Sequence, residues 1–547
     1  MSKLSLCRFA ASLFLLAGFL IATPAHAGSA TWNLNPTTNS WTTAGNWTPA
    51  TVPNGPTDVA TLDATNTPEI SLAAPTSTPL TLTLDSLVFG PNAPFYTIDV
   101  SNGLSSTQLL FVGAGVVNNG VPFQMFNVTG GAGVVFSNSA TMSAAVGFTV
   151  NGSTPTNPAT SSLTLKDNVT IADYNEIDAF GSASGAAGNA GALVTFLDQT
   201  DAGYCSVIGY GGQVAGAAGA TVVFDGSANV NMGAAAAFGG EVAGAFGATV
   251  TFQGDATLGD GFAGCEPGSA GGGPGYLFFK GGSTGGTGTY VIASGVVDIS
   301  QHDPPGLTVG VLAGLGTIYL GSNNLTSGFL NTSSTFAGTI KDGGAGGGTG
   351  GSMTFSNNGG VSLQGASTYT GGTIIDRGTV VTLDTATGSA LGTGPVQILN
   401  GELAGTGAVS NTVVVGTGSG PGAQLSPTSS GAPPLASART SCLMRTRPTL
   451  PISAPSPGSL PRPRLAGSAS RVAPPWMRSW HRDRAPCLRG SSTPSWKIPR
   501  RSRRSARLRI CPMAAPSSWA AGRCRRTTKA AMGTTSRSRC SEAGMTG

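Results

Sequence analysis

A short β-rich pattern recurs along the middle of the chain, and its last four copies begin at 192, 220, 248 and 276, a constant step of 28. Each copy is a run of β-branched and aromatic residues followed by turn-forming residues, which is typical of a strand and its corner. A fixed period of about 20 to 50 residues indicates a stacked repeat architecture. The pattern therefore predicts a coil of strands, a β-solenoid, and not an array of helix pairs. The six copies begin at Gly133, Ser162, Ala192, Ala220, Ala248 and Tyr276.

Three phenylalanines hold the same position in successive copies: Phe196, Phe224 and Phe252. An accidental recurrence in a Gly- and Ala-rich chain is the alternative. The β-branched, aromatic and glycine positions nevertheless keep one common register, which favours a true repeat. We therefore expect the three rings to stack as a ladder inside the solenoid.

Residues 1–27 have the features of a signal peptide for export. Lys3 and Arg8 give a positively charged start, residues 11–22 are apolar but short for a membrane span, and Ala25-His-Ala27 is a small-x-small cleavage site. We expect the mature chain to begin near Gly28 and to be secreted, either extracellular or on the cell surface. No later stretch is apolar enough to predict a transmembrane helix.

The charges divide the chain into two unlike parts. Residues 1–430 hold 6 of the 29 Lys and Arg residues but 22 of the 24 acidic residues. Residues 431–547 hold the other 23 cations and only two acids, Asp483 and Glu542. An acidic, glycine-rich body with almost no cations is unsuited to nucleic acid or to anionic lipid. We therefore expect no nucleic-acid partner.

Residues 28–63 are rich in tryptophan, with Trp32, Trp41 and Trp47 close together. Terminal repeats of a solenoid need a cap over the open core. The segment therefore predicts an N-terminal cap, and a platform that stacks on sugar rings is the alternative.

Residues 64–345 alternate apolar and polar residues in short runs, most clearly at 80–89 and 107–112. Such alternation predicts strands. We assign this region to a β-solenoid with repeats of about 28 residues. The glycine-rich run at 343–351 is interpreted as a flexible loop.

The segment Val361-Ser-Leu-Gln-Gly-Ala-Ser-Thr-Tyr-Thr-Gly-Gly-Thr-Ile-Ile-Asp-Arg-Gly-Thr-Val-Val resembles the autotransporter-associated β-strand repeat. That family carries a Thr-Tyr-Thr-Gly-Gly-Thr segment followed by a short strand and a Gly-Thr-Leu-like strand. Gly392-Thr-Gly-Pro-Val and Gly401-Glu-Leu-Ala-Gly-Thr-Gly-Ala-Val continue the pattern, and we assign residues 346–430 to it. The resemblance implies a right-handed parallel β-helix in a secreted or surface-displayed protein. It implies no activity.

The tail at 431–547 differs in character from the rest of the chain. It has no Phe or Tyr, and 21 of its 23 cations are arginine. A basic segment of Arg, Ser and Pro cannot bury a core, so we expect it to be disordered. One interpretation is a basic tail that binds nucleic acid or an anionic glycan.

We favour a second interpretation of the tail, a shift of reading frame between about residues 427 and 439. Back-translation of 439–449, read two bases later, gives His-Glu-Leu-Leu-Asn-Ala-Asn-Ala-Thr. The same shift turns 525–540 into Thr-Asn-Tyr-Glu-Gly-Gly-Asp-Gly-Asn-Asp-Leu-Thr-Leu-Thr-Leu. The second peptide is acidic and glycine-rich like the body and ends in an alternating strand, so the arginine runs of the tail are not interpreted as a binding site.

Few residues of the body are suited to catalysis. Parallel β-helices host pectin lyases and glycosidases, and a polysaccharide lyase needs basic residues beside calcium-binding carboxylates. Arg377 follows Asp376 at a predicted turn, where a solvated cation is the simpler interpretation. His302 and Asp303 precede two prolines and could contact a metal, but one histidine without a second ligand favours a loop.

Asp173, Glu176 and Asp178 form the densest acidic cluster. Alternating oxygens on a loop can hold calcium, although the glycine that an EF-hand loop needs is missing. We interpret the cluster as a solvated acidic turn and assign no metal, cofactor or catalytic residue.

Two features of the body have structural interpretations. Cys205 and Cys265 are its only cysteines after the signal, and an exported protein could join them in a disulfide, which the spacing leaves open. Gly211-Gly212 and Gly239-Gly240 lack the context of a phosphate loop, so we interpret them as corners with positive φ.

These patterns predict an all-β protein, a right-handed parallel β-helix with a disordered C-terminal tail. The function that fits best is a non-enzymatic, adhesin-like surface or matrix protein whose partner is an extracellular polysaccharide or a cell surface. The alternatives are a β-helix enzyme that degrades polysaccharide and a calcium-dependent carbohydrate-binding protein. The scarcity of His, Lys and Arg argues against the enzyme.

Overall fold

The computed structural model describes residues 28–328, 330–356, 359–416 and 422–427. The predicted signal peptide at 1–27 and the predicted disordered tail at 431–547 lie outside the described residues.

The described residues form 37 strands and two single-turn 3-10 helices. The helices are Ala44–Asn46 and Ser269–Gly271. The strands of the first half are β1 (Ala30–Trp32), β2 (Trp47–Thr48), β3 (Gly55–Leu62), β4 (Glu69–Ala73), β5 (Leu80–Phe89), β6 (Thr97–Ser101), β7 (Thr107–Asn118), β8 (Gln124–Thr129), β9 (Gly133–Phe136), β10 (Thr141–Met142), β11 (Val146–Val150), β12 (Ser162–Leu165), β13 (Thr170–Ile171), β14 (Glu176–Ala179), β15 (Leu193–Phe196), β16 (Ser206–Gly209), β17 (Thr221–Phe224), β18 (Ala234–Ala237) and β19 (Thr249–Phe252). Those of the second half are β20 (Phe262–Cys265), β21 (Tyr276–Gly281), β22 (Thr289–Ile292), β23 (Val296–His302), β24 (Gly306–Val309), β25 (Val311–Gly314), β26 (Thr317–Tyr319), β27 (Asn324–Ser327), β28 (Ser334–Phe336), β29 (Thr339–Lys341), β30 (Ser352–Ser356), β31 (Gly360–Leu363), β32 (Gly372–Asp376), β33 (Thr379–Leu383), β34 (Val396–Ile398), β35 (Gly401–Gly405), β36 (Val413–Val415) and β37 (Ala423–Pro427).

The strands assemble into three sheets by stacking successive coils of the chain. The first sheet runs in the order β2-β1-β3-β5-β7-β9-β12-β15-β17-β19-β21-β23-β26-β29, and the second runs from β4 through β14, β16, β18 and β20 to β37. Because the chain alternates between these two sheets, each coil of the middle region adds one strand to each. Among the named strands only β1 and β2 pair antiparallel. The predicted parallel β-helix is confirmed.

The strand register shows how regular the middle coils are. Thr221 pairs with Leu193 on one side and with Thr249 on the other, which is the spacing that the repeat predicts. Tyr276 pairs with Thr249 and not with Ala248, so the next coil is one residue shorter.

The coils after β21 are shorter still. In the first sheet Tyr276 pairs with Val296, Val296 with Thr317, and Thr317 with Thr339. Each of these steps is well below the spacing of the middle coils. The prediction of 28-residue repeats up to residue 345 is therefore wrong for the last coils, because their connecting loops are shorter.

A third sheet replaces the first toward the C-terminal part of the described region. It begins at β24 and runs β24-β27-β30-β32-β34-β36. The Thr308 carbonyl oxygen of β24 packs against the backbone of Gly285. In the preceding coils, single β-bridges join consecutive coils next to this position, at Thr170, Asp201, Asn229, Thr257 and Thr284. The coils of β23 to β31 therefore carry three strands each, and later coils carry strands of the second and third sheets only.

The predicted phenylalanine ladder lies in the core between the first two sheets. The ring centroids of Phe196 and Phe224 are 4.5 Å apart, and those of Phe224 and Phe252 are 5.0 Å apart, with nearly parallel planes. Phe279 extends the stack at 4.9 Å. All four side chains are buried. The prediction is confirmed, and the ladder is one ring longer than the three residues that defined it.

The tryptophans near the N-terminal end of the described region belong to the core. Trp32, Trp41 and Trp47 are buried, and their rings meet edge to face at centroid distances of 5.0 and 4.8 Å. The Trp47 Nε1 donates to the Trp41 carbonyl oxygen at 2.8 Å. Sugar stacking requires an exposed ring face. This burial leaves none, so the rings serve packing at the end of the first sheet.

The glycine pairs of the middle loops are needed for close packing and not for positive φ. A Cβ at Gly211 would lie 2.3 Å from the Gly239 carbonyl oxygen, and one at Gly239 would lie 2.2 Å from the Gly268 nitrogen. Neither residue has φ in the left-handed region. The interpretation of these pairs as positive-φ corners is wrong, because successive loops stack backbone against backbone.

The glycine-rich loop at 343–351 is held by two carboxylates. Asp298 accepts the Ala345 backbone N–H at 2.7 Å, and Asp342 accepts those of Gly350 and Gly351 at 3.2 and 3.0 Å. Hydrogen bonds to a charged acceptor are stronger than neutral ones. The loop is therefore anchored, unlike the flexible linker that its composition indicates.

Candidate functional site

The acidic cluster lies on the outer face of the second sheet, at β14. Side chains alternate along a strand, so Ile177 and Ala179 point into the core while Glu176 and Asp178 point outward. Asp173 lies in the preceding turn and is exposed. The structure thus places two of the three predicted carboxylates on one strand face and the third on a loop.

Asp178 has an unusual environment for an outward-facing carboxylate. Burial and, to a smaller extent, the negative charge of Glu176 raise its pKa to about 7, and a hydrogen bond with Tyr210 opposes the rise. Its Oδ1 is buried with no hydrogen-bond partner among the described residues. Burial and the two carboxylates also raise the pKa of Tyr210. A carboxyl group that titrates near neutral pH can exchange a proton with a bound molecule.

Aromatic rings flank this carboxylate in a column along the stacking direction. Phe180 and Tyr210 stack with centroids 4.7 Å apart, and Tyr210 and Phe238 stack at 5.3 Å. Each inner ring face is covered by its neighbour, so the column presents edges outward. It cannot act as a flat platform for sugar rings.

The structure does not gather the acidic cluster into a calcium site. Asn175, which lies between Asp173 and Glu176, is buried and accepts the Val146 backbone N–H at 2.7 Å while donating to the Ala172 carbonyl at 2.9 Å. The residue that would complete a chelating loop is thus committed to the fold. Over the described ranges, no three His, Cys, Asp or Glu side chains are grouped so as to hold a metal ion.

His302 links its own turn to the turn that contains Ser283. Its Nδ1 lies 2.7 Å from the Asp303 carbonyl oxygen, and its Nε2 lies 2.6 Å from the Ser283 carbonyl oxygen. Both ring nitrogens face backbone carbonyl oxygens at hydrogen-bond distance, so neither nitrogen is open to a metal ion in this arrangement. His302 is a structural residue in this arrangement.

Arg377 is exposed in the turn between β32 and β33, with φ of 53°. The structure places no predicted carboxylate of the acidic cluster on the same strands, since β14 belongs to a distant part of the second sheet. The acidic cluster therefore supplies no carboxylate beside Arg377.

Both cysteines of the described region are free and buried. Cys205 precedes β16 and Cys265 ends β20, with β18 between the two strands, so the residues are two coils apart. At about 4.8 Å per coil, this separation exceeds the reach of a disulfide. Burial raises the pKa of each thiol, which keeps it protonated and unreactive. The geometry therefore excludes the disulfide between Cys205 and Cys265 that the sequence left open.

Tyr210 is the partner that the sequence did not reveal. Asp178 pairs with Ile208 of the next coil, so Tyr210 lies two positions further along that coil on the same outward face. Knowledge of the register, and not of the repeat length alone, is needed to bring the two residues together.

Comparison with protein-family models, with curated proteins and with solved structures gave no match. The fold itself defines the class, a parallel β-helix protein. Where the chain is described, none of its helices has the length and apolar character needed to cross a membrane.

Proposed function

We propose that the protein is an exported, non-enzymatic surface or matrix protein that adheres to an extracellular polysaccharide or a cell surface. The observation that carries the proposal is a set of polar ladders on the outer faces of the coils. Asn127 donates to Asp99 at 3.0 Å and Asn151 donates to Asn127 at 2.9 Å, each from one coil to the one before it. These bonds fix polar groups at regular intervals along the stacking direction.

Similar bonds recur on other coils and other faces. Thr195 donates to Thr164 at 3.1 Å, Gln253 to Asp225 at 2.8 Å, and Thr284 to Thr257 at 2.7 Å. A repeating partner such as a polysaccharide can make one weak contact per coil, and linked weak contacts add up to strong binding. Pre-ordered side chains also lose little conformational entropy when they bind.

Export is supported by the signal-like residues 1–27, and display at a surface is supported by the resemblance of 361–409 to the autotransporter-associated repeat. Both lines of support come from sequence alone. The negative charge of the body suits a neutral polymer better than an acidic one.

A sedimentation assay with insoluble polysaccharides tests the proposal. The full chain is mixed with cellulose, with chitin and with calcium alginate beads, and an unrelated acidic globular protein of similar size is the control. We expect saturable loss of the chain from solution on at least one polymer, without release of reducing sugar. Equal behaviour of the chain and the control on every polymer would overturn the proposal.

A second candidate function, hydrolysis or lyase cleavage of a polysaccharide, is favoured by one observation. Asp178, with a pKa of about 7, and Glu176 project from the same strand face. A carboxyl group with a raised pKa can act as a general acid, and a second carboxyl group on the same face can take the other role. Release of reducing ends or unsaturated products that is lost in Asp178→Asn and kept in Asp173→Asn would establish this function in place of the first.

A further inference from the structure

A pocket of about 480 Å³ lies where the third sheet begins, between the turn at 282–287 and the turn at 302–308. This volume lies within the range of small-molecule sites, about 300 to 1,000 Å³. We propose that the pocket binds one sugar residue of a neutral saccharide. The inference rests on the proposed function and deepens it, because it assigns a site and a charge class to the partner.

Ser283 lies in the pocket wall, but its hydroxyl is closed off from a ligand. The residue is only 1% exposed, and its Oγ, which has no hydrogen-bond partner among the described residues, has essentially no accessible surface. A ligand in the pocket must therefore be recognised by the other groups of the wall.

The remaining polar groups of the wall suit a polyhydroxylated molecule. Thr284, Thr287 and Thr308 contribute hydroxyl groups, and Asp303 contributes a carboxylate that accepts from ligand hydroxyls. Pro304 lies on the wall as well and offers an apolar surface for the C–H groups of a sugar ring. The wall therefore offers hydrogen-bonding groups for the hydroxyls of a pyranose and an apolar surface for its C–H groups.

The charge of the wall selects a neutral ligand. Its lining includes one carboxylate, Asp303, and no Lys or Arg among the described residues. Asp260 lies next to it, hydrogen-bonded to Thr287. A phosphate, a sulfate or a uronate would be repelled by these carboxylates, with no Lys or Arg in the lining to offset the repulsion and with both His302 ring nitrogens already facing backbone carbonyl oxygens.

The pocket is held in shape independently of a ligand. His302 joins the two turns through the Ser283 carbonyl group, and Thr284 donates to Thr257 of the preceding coil. Asn323 donates to the His302 carbonyl at 3.0 Å from the following coil. A preformed site of this kind binds without a large ordering cost.

The test is saturation-transfer NMR and calorimetry on the full chain, with cellotriose, maltotriose and chitotriose as neutral probes and trigalacturonate as the acidic one. We expect saturable binding of at least one neutral trisaccharide and weaker or no binding of trigalacturonate. No saturable binding of any neutral probe would overturn the inference, as would a preference for trigalacturonate. If either result were obtained and the chain were still retained on an insoluble polymer, the adhesive function would remain supported without this site.

Matched variants locate the binding. Thr308→Phe fills the pocket, and Thr326→Phe places the same side chain one coil further along the same column, since Thr308 pairs with Thr326. We expect Thr308→Phe to weaken neutral binding about tenfold or more, and Thr326→Phe to change it by no more than about twofold. Equal affinity in the two variants would overturn the assignment of the site.

A third variant tests the site with a substitution that should not disturb the fold. Asp303 is exposed, so Asp303→Asn should not affect folding. We expect it to weaken binding of the neutral probe several-fold and to reduce the discrimination against trigalacturonate. Unchanged affinity for both probes would contradict the proposed wall.

Discussion

Phe224 lies directly over Phe252, one coil further along the chain, with ring planes inclined by only 8° and centroids 5.0 Å apart. The distance is about the spacing of hydrogen-bonded strands, 4.7 to 4.9 Å. The backbone ladder of β17 and β19 therefore sets the ring separation, and the rings in turn exclude water from the interior between the first two sheets. Ring stacking and strand pairing are thus two consequences of one register.

Replacement of Phe224 by Ala should destabilise the coil stack. The ring contacts Phe196 on one side and Phe252 on the other, so its loss leaves a cavity that the paired strands cannot close. A Phe→Ala change in a core costs about 3 to 5 kcal/mol. The fall in the denaturant midpoint of Phe224→Ala, measured by circular dichroism, checks this expectation.

Phe246→Ala is the matched control, because Phe246 is 62% exposed in a loop of the same repeat region. We expect its denaturant midpoint to stay near that of the unmodified chain. An equal loss of stability in both variants would contradict the assignment of Phe224 to the stacked interior.

The repeat length and the ladder could be predicted from the sequence because both depend on identical residues recurring at one spacing. The shortening of the coils after Tyr276 could not, since it results from loop lengths that leave no recurring residue. Ala234–Ala237 illustrates a related difficulty. A run of four alanines favours a helix by propensity, yet it forms β18 because strands of the second sheet pair with it on both sides.

The stability of the protein should depend on pH through Asp178. Its pKa is about 7 in the folded chain and about 4 in an unfolded one. The folded state therefore holds the extra proton between these values, and the contribution of Asp178 to stability falls as the pH rises from about 4 to about 7. Above pH 7 the contribution stays at its lower level.

Asp178→Asn removes this titration while preserving the shape of the side chain. We expect the difference in melting temperature between Asp178→Asn and the unmodified chain to grow in favour of the variant from pH 4 to pH 7. Asp173→Asn, in the exposed turn nearby, is the control, and its melting temperature should not follow the pH trend of Asp178→Asn. A constant difference for Asp178→Asn would show that its carboxyl group titrates normally.

Loss of the Asp342 carboxylate should release the glycine-rich loop at 343–351. Asp342 accepts from the Gly350 and Gly351 backbones and from the Thr370 hydroxyl at 2.6 Å. Hydrogen bonds to a charged group contribute about 1.5 to 3 kcal/mol. We therefore expect amide exchange at Gly350 and Gly351 to accelerate by about 10- to 100-fold in Asp342→Ala, measured by hydrogen exchange with mass spectrometry.

Asp384→Ala serves as the control for this loop. The Asp384 carboxylate accepts from the Ser362 hydroxyl on another face of the β-helix. Its removal should leave exchange at Gly350 and Gly351 unchanged. Unchanged exchange in Asp342→Ala as well would mean that the loop is held by its own backbone contacts.

The outer-face chemistry was less predictable than the core. The acidic residues at 176 and 178 are visible in the sequence, but the neighbour that hydrogen-bonds Asp178 is Tyr210, which comes from the next coil. A pocket that joins turns at 282–287 and 302–308 depends on the change to shorter coils after β21. Such neighbours follow from the register of each coil, and composition carries no information about it.

Gly211→Ala should be destabilising although Gly211 has an ordinary φ. The new methyl group would lie 2.3 Å from the Gly239 carbonyl oxygen of the next coil, and both atoms belong to backbone that the stacked loops hold in place. Overpacking of this kind costs about 1 to 3 kcal/mol.

Gly45→Ala is the matched control, since no heavy atom lies within 4 Å of its added Cβ and its φ is also ordinary. We expect a clear fall in the denaturant midpoint for Gly211→Ala and a change of less than about 0.5 kcal/mol for Gly45→Ala. If both variants were as stable as the unmodified chain, the middle loops would not stack as closely as the structure describes.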